Sequence, residues 1–163
     1  MEFPSSSASE ITPPSLPNQN LPVAIAAGLA AAIIGGIGWA LLTINTGYQI
    51  GYMAVGVGFL VGFAVRLGNG TDKIFSYTGA LLAFLGCLIG NFLSMVGFFA
   101  SAEKLSFLSA LSQIDYSKVP SAMASAFNPM DLLFYGIAIY EGYRLSVHGK
   151  KQEAPPPAPS QRI

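Results

Sequence analysis

The sequence predicts an all-α integral membrane protein, a four-transmembrane-helix bundle with disordered Pro-rich tails. Residues 11–65 contain no Asp, Glu, Lys or Arg. Across the chain only 10% of residues are charged and 52% are hydrophobic, whereas soluble domains carry about 25% charged residues. One membrane span needs about 20 apolar residues. The charge-free stretch is longer than that and contains a polar break at residues 43–47, which indicates two spans joined by a tight turn.

Both ends of the chain have the composition of disordered tails. Residues 1–21 and 148–163 are rich in Pro and poor in large apolar side chains, so they have too little apolar surface to offset chain entropy. The first 21 residues also lack Lys and Arg, and a secretory signal peptide begins with basic residues. We therefore expect an uncleaved first span and a transmembrane domain over residues 22–147.

The first two spans are predicted over about 22–43 and 48–67. Pro22 suits the first turn of a helix, where its missing N–H costs nothing. Residues 45–47, Asn-Thr-Gly, supply the turn between the two helices. The polar segment 68–73 then separates span 2 from span 3.

Span 3 is predicted over about 74–100, and at about 1.5 Å per residue it exceeds the thickness of a ~30 Å hydrocarbon core. The connection 101–128 follows. Within it, residues 103–114 place four apolar side chains on one half of a helical wheel, which indicates an amphipathic helix at the membrane interface; these are Phe107, Leu108, Leu111 and Ile114. An ordinary, partly structured loop is the alternative.

Span 4 is predicted over about 129–147. Asn128, Pro129 and Asp131 have the pattern of a helix cap, a first-turn proline and an acid near the positive helix end. To cross the membrane, this helix has to continue through Glu141 and Arg144. The alternative is a helix lying in the interface, which moves the C-terminus to the other side.

Basic residues predict the orientation, because Lys and Arg accumulate in cytoplasmic loops. With four spans, one side holds Arg66, Lys73, Arg144, Lys150, Lys151 and Arg162, and the other holds Lys104 and Lys118. Both termini are therefore expected in the cytoplasm, with the bacterial inner membrane as the expected location. Aromatic belts are predicted outside, from Trp39, Tyr48 and Tyr52, and inside, from Tyr77, Tyr140 and Tyr143.

Three predicted spans carry stripes of small residues, which allow close helix packing in a membrane. Span 2 has Ala54, Gly58 and Gly62; span 3 has Gly79, Ala83, Gly86, Gly90, Ser94 and Gly97; span 4 has Ala138, Gly142 and Ser146. We expect these small-xxx-small stripes to pack the helices of one chain together. The alternative is that one stripe is a self-association surface.

A few polar residues are predicted at membrane depth, where unpaired charges are costly. Glu141 has two candidate partners: Arg144 on the same helix face and Arg66 at a similar depth on span 2. The hypothesis is an ion pair of Glu141 with one of them. The alternative is that the Glu141 side chain reaches the lipid headgroups. Asn91 in span 3 is expected to form a hydrogen bond between helices.

The remaining sequence features predict neither a catalytic residue nor a metal or cofactor site. The chain has one Cys and one His and carries no recognised catalytic or phosphate-binding motif. A net charge of zero gives no general attraction to nucleic acid. The prediction is a non-catalytic subunit, anchor or scaffold that contacts the lipid bilayer and either a protein partner or a second copy. The alternative is an oligomeric channel or transporter with Glu141 and Asn91 lining the path.

Overall fold

The computed structural model describes residues 19–48, 51–126 and 128–147, and every regular element in these ranges is a helix. The six helices are α1 (Leu21–Thr46), α2 (Met53–Arg66), α3 (Lys73–Ala102), α4 (Phe107–Gln113), α5 (Val119–Ala126) and α6 (Pro129–Leu145). The predicted disordered tails lie largely outside the described residues.

Helix α1 begins and ends at residues suited to those positions. The Asn20 side chain accepts a hydrogen bond from the Val23 N–H at 3.1 Å, which satisfies one of the free donors of the first turn. At the other end Gly47 has φ 72°, and its N–H donates to the Thr43 carbonyl at 2.9 Å. A left-handed residue after a helix favours glycine. The helix therefore includes Asn45 and Thr46, which we had predicted as part of the turn.

The predicted start of the second helix was wrong by several residues. Tyr48 lies outside any helix and is 76% exposed, and α2 begins only at Met53. The break at Gly47 and a second turn at Gly51 separate the two helices. Consequently α2 has 14 residues, and at ~1.5 Å per residue it is about 21 Å long.

Helix α3 is the longest element, with 30 residues. It contacts α1, α2 and α6 along its length and α4 and α5 near its C-terminal end. Its buried side consists mostly of small residues: Ser76, Gly79, Ala83, Gly86, Cys87, Gly90, Asn91, Ser94, Gly97 and Ala100. α3 is thus the central helix against which the others pack.

The connection after α3 contains two short helices instead of one amphipathic helix. Lys104 has φ 55°, so the backbone leaves the right-handed helical region before α4 starts. The predicted apolar face is divided as a result. Leu111 and Ile114 pack towards a buried cluster on α3 and α4, whereas Leu108 is 77% exposed.

A small hydrogen-bonded turn precedes α5. The Ser117 hydroxyl donates to the Asp115 carboxylate at 2.6 Å, and Lys118 forms an ion pair with the same carboxylate at 3.3 Å. These contacts, the Ser117 hydroxyl first, hold the pKa of Asp115 below its usual value. The Asp115 side chain is exposed, and all of these contacts lie within this turn.

Helix α6 starts as the sequence predicted. The Asn128 side chain accepts from the Met130 N–H at 3.2 Å, and Asp131 accepts from the Asn128 N–H at 3.0 Å. Together these bonds form a capping box, with Pro129 in the first turn. The helix ends at Leu145, two residues before the predicted boundary.

Two of these helices, α1 and α3, are long and apolar enough to span a membrane. α2 is apolar but shorter, and α6 has 17 residues. A third span arises if α5 and α6, which meet at an angle of 105°, are counted as one broken span.

Candidate functional site

The predicted glycines of α2 lie directly against α6. A Cβ atom added to Gly58 would fall 2.6 Å from the Ala138 Cα, and one added to Gly62 would fall 3.1 Å from the Glu141 carbonyl oxygen. Real Cβ atoms essentially never show the first distance, and the second is tighter than nine in ten real Cβ contacts. The two helices therefore meet backbone to backbone, with no room for a side chain at Gly58.

Two of the predicted glycines of α3, Gly86 and Gly90, face α1 and α2, and side chains fill part of the space that they leave. A Cβ at Gly86 would lie 2.6 Å from a methyl group of Val57, and a Cβ at Gly90 would lie 2.7 Å from the Trp39 indole. A Cβ at Gly36 on α1 would lie 3.1 Å from the Gly90 backbone nitrogen. The four stripe glycines described here thus have neighbours within the chain; they are Gly58, Gly62, Gly86 and Gly90.

The hypothesised ion pairs of Glu141 do not form in this structure. Among residues 19–48, 51–126 and 128–147, the only ion pair within 4.0 Å joins Lys118 to Asp115. Glu141 is partly exposed and Arg144 is exposed. The contact of α6 with Gly62 involves the Glu141 carbonyl, so the close approach of these helices brings backbone atoms together and not the long charged side chains.

Asn91 does form the predicted hydrogen bond between helices. Its side-chain amide donates to the Tyr135 hydroxyl at 3.1 Å, and that hydroxyl donates to the Cys87 carbonyl at 3.2 Å. Both side chains are at least 95% buried. Glu141 lies six residues further along α6, about 9 Å by helix rise, so the structure does not bring together the two residues proposed to line a path.

Tyr135 was not among the sequence-predicted residues, although the sequence contains a signal for it. The stripe Ala138, Gly142 and Ser146 continues backwards at helical spacing to Tyr135 and Asp131, and all five are buried. Tyr135 is large and Asp131 is charged, so neither belongs to a stripe of small residues.

Asp131 lies where the N-terminal ends of α2 and α6 approach each other. It is 9% exposed, one of its oxygens accepts the Asn128 N–H, and the other lies 3.0 Å from the Cβ position of Gly51. The first backbone N–H groups of a helix carry partial positive charge. Asp131 therefore caps the first turn of α6 and lies beside the turn that precedes α2.

Trp39 was predicted in an outer aromatic belt, and this was wrong. Its side chain is 1% exposed and lies on Gly90, with its ring edge-on to Tyr135 at a centroid distance of 6.3 Å and an angle of 81°. Glycine at position 90 leaves the space that the indole occupies. The other predicted belt residues are exposed, namely Tyr48, Tyr52, Tyr77, Tyr140 and Tyr143.

Two polar atoms of this cluster lack hydrogen bonds. Trp39 Nε1 and Thr43 Oγ1 are buried and have no partner among the residues that the structure describes. Thr43 is one helical turn after Trp39 and is fully buried. Asn91 and Tyr135 thus form hydrogen bonds between α3 and α6. The two buried polar atoms of α1 form none with the described residues.

An apolar groove of about 600 Å³ opens on the surface of the helix assembly. It lies between the C-terminal halves of α1 and α3, and α4 closes one end. Its lining is apolar apart from Ser101 and consists of Ile37, Ala40, Leu41, Ile44, Leu93, Gly97, Ala100, Ser101, Leu105 and Phe107.

The fold and the site together define a class: an all-helical protein with two helices that have the length and composition of membrane spans. Comparison of the chain with protein-family models, with curated proteins and with solved structures finds no match. Within the described residues, no group of three or more His, Cys, Asp or Glu side chains is placed to hold a metal ion.

Proposed function

We propose that the chain is a four-span membrane protein that acts as a non-catalytic subunit, anchor or scaffold of a membrane assembly. α1 and α3 would cross the full hydrocarbon core. α2 and α6, about 21 and 25 Å long, would cross by local thinning of the bilayer or by using flanking residues, at a modest cost per Å of mismatch.

The ends of the helices support a topology with both termini on one side. The Asn20 N–H donates to the Gly68 carbonyl at 2.9 Å, so the start of α1 lies beside the α2–α3 loop. Ser146, after the end of α6, packs against Gly79 near the start of α3. The excess of Lys and Arg at this end favours the cytoplasm, and we propose the bacterial inner membrane as its location.

Glycosylation in eukaryotic microsomes tests this orientation. Asn69-Gly70-Thr71 is a natural acceptor sequence, and the proposed topology keeps it out of the lumen and unmodified. Asp115→Asn creates a second acceptor, because Tyr116 and Ser117 follow, and we expect that one to be glycosylated. A glycan on Asn69 together with an unmodified Asn at position 115 would invert the topology.

The single observation that carries the functional proposal is the apolar groove on the outer face of α1 and α3. Its volume is within the ~300–1,000 Å³ of ordinary ligand-binding clefts, and it lies on helices that would be embedded in the bilayer. A groove between two such helices can receive the apolar side chains of a partner's membrane helix, which associates through close packing. This supports a role in assembly.

Co-purification in mild detergent tests the proposal with a matched pair of variants. Leu41 lines the groove and is 55% exposed, whereas Leu29 is 43% exposed on the same helix outside it. Leu41→Trp fills the groove and should reduce the recovery of a stoichiometric partner at least tenfold. Leu29→Trp should leave recovery unchanged. Equal recovery with both variants, or the absence of any stoichiometric partner of the unaltered chain, would count against the groove as an assembly surface.

A further inference from the structure

A second cleft, of about 360 Å³, opens near the C-terminal end of α3. It lies between α3, the turn that joins α4 to α5, and α5 itself, and we call it the α5 cleft. Its apolar lining consists of Met95, Phe99, Ile114, Val119 and Ala122, and its polar lining of Gln113, Asp115 and Lys118. The cleft therefore suits a ligand that is itself partly apolar and partly charged.

The position of the α5 cleft along α3 places it at the level of lipid headgroups, an inference that rests on the proposed membrane span of α3. Met95 and Phe99 follow Lys73, the first residue of α3, by 22 and 26 positions, which is about 33 and 39 Å at ~1.5 Å per residue. The hydrocarbon core is about 30 Å thick, and the headgroup layers extend the bilayer to about 40–45 Å. With Lys73 at one surface of the bilayer, the cleft lies at the other, where acyl chains meet headgroups.

The polar part of the cleft presents one positive and one negative charge side by side. Lys118 Nζ lies 3.3 Å from Asp115 Oδ2. Asp115 Oδ1 accepts from the Ser117 hydroxyl at 2.6 Å and from the Ser117 N–H at 3.1 Å, and these two bonds orient the carboxylate. An ammonium group has three N–H donors and a carboxylate has about four lone-pair sites. Each of the two charged groups can therefore bind a further partner while they remain paired.

We infer that the α5 cleft binds phosphatidylethanolamine, a phospholipid whose headgroup carries one phosphate anion and one primary ammonium. Lys118 binds the phosphate and Asp115 accepts hydrogen bonds from the ammonium, and both contacts are charge-assisted. The part of the acyl chains next to the headgroup lies against Met95 and Phe99. The volume is at the lower end of the ~300–1,000 Å³ of ligand clefts, so the cleft holds the headgroup region and the acyl chains continue into the bilayer.

The paired charges distinguish this headgroup from the other common ones. Phosphatidylglycerol has a phosphate for Lys118 but no cation for Asp115, whose carboxylate repels the phosphate. Phosphatidylcholine has a quaternary ammonium without any N–H, so it cannot donate a hydrogen bond to the carboxylate. A primary ammonium next to a phosphate satisfies both residues.

Native mass spectrometry of the full chain, released from detergent micelles, tests the inference with these three lipids carrying identical acyl chains. Phosphatidylethanolamine should bind about fivefold more tightly than either of the others, as expected for one additional charged contact at an exposed site. Asp115→Asn removes both the acceptor for the ammonium and the repulsion of the phosphate. It should weaken phosphatidylethanolamine binding about fivefold and strengthen phosphatidylglycerol binding. Lys118→Gln should weaken the binding of both lipids.

Glu103 and Lys104 provide matched controls, because they are an exposed acid and base at the same end of α3 and do not line the cleft. Glu103→Gln and Lys104→Gln should leave the binding of all three lipids unchanged. Ala122→Trp fills the cleft and should weaken phosphatidylethanolamine binding. Ala124 is two residues further along α5 and therefore on its opposite side, so Ala124→Trp should have no effect.

Equal binding of the three lipids by the wild-type chain overturns the inference, as does an equal loss of phosphatidylethanolamine binding in Asp115→Asn and Glu103→Gln. Alkaline carbonate extraction of membranes separates these results from failure of the proposed function. A chain that carbonate releases is not an integral membrane protein, and both the proposed function and the lipid site are then wrong. A chain that stays in the membrane and shows no lipid preference overturns the lipid site alone.

Discussion

Two pairs of helices, α1–α3 and α2–α6, pack against each other through different kinds of contact. α1 and α3 have 26 and 30 residues, and large side chains such as Trp39 and Ile89 occupy the spaces beside their glycines. α2 and α6 have 14 and 17 residues and meet through backbone atoms at Gly58. The short pair has fewer turns over which to spread its contacts, so each close approach in it contributes a larger share of the stability.

The comparison predicts its largest effect at Gly58. Gly58→Ala places a methyl group against the Ala138 backbone, which cannot rotate away, so the two helices must separate. We expect a loss of about 2–3 kcal/mol, at the upper end for overpacked sites, measured by denaturant unfolding in detergent micelles. Gly56 has nothing within 4 Å of its Cβ position, and Gly56→Ala on the same helix should cause no loss. Equal losses for both variants would remove the distinction between the two pairs.

A smaller effect is expected at Gly90 in the long pair. In Gly90→Ala the new methyl group meets the Trp39 indole, which can tilt at the cost of its contact with Tyr135. We expect a loss of about 1–2 kcal/mol in the free energy of unfolding and a change in tryptophan emission. Thermal unfolding measures the first and fluorescence the second. A loss at Gly90 greater than that at Gly58 would reverse the comparison.

The smallest effect is expected at the hydrogen bond that joins the two pairs. Tyr135→Phe removes the hydroxyl that links Asn91 on α3 to α6. Hydrogen bonds between membrane helices contribute about 0.6 kcal/mol on average and up to about 1.7, so we expect a loss of about 1 kcal/mol in the same unfolding assay. Tyr143→Phe, at an exposed tyrosine, is the control and should be neutral. A neutral Tyr135→Phe would show that the pairs are joined by packing alone.

Much of the fold could be predicted from local sequence signals. Asn128, Pro129 and Asp131 gave the start of α6 correctly because a capping box depends on residues close together in sequence. The absence of charge over residues 11–65 indicated an apolar helical hairpin, and the bounds of α1 and α3 were close to those predicted. The start of α2 was missed because the chain turns at Gly51, where Phe134 and Asp131 of α6 leave no room for a side chain. A sequence pattern does not reveal such a distant neighbour.

The candidate site was less predictable than the fold. Asn91 was identified because an amide in an apolar helix needs a partner. Trp39 was misplaced because tryptophan is common in interfacial belts, and only the space at Gly90 explains its burial. The Glu141 ion pairs were inferred from charge and depth, whereas the structure places the Glu141 backbone at the helix contact.

The contact between Gly58 and Ala138 has a consequence for the order of events during synthesis. These residues are separated by roughly 80 positions, which ribosomes translate in about 4–16 s at 5–20 residues per second. During that interval α2 has been made and α6 has not, so the face of α2 around Gly58 and Gly62 has no partner from its own chain. The chain therefore passes through a state, lasting seconds, in which the backbone contact between α2 and α6 is missing.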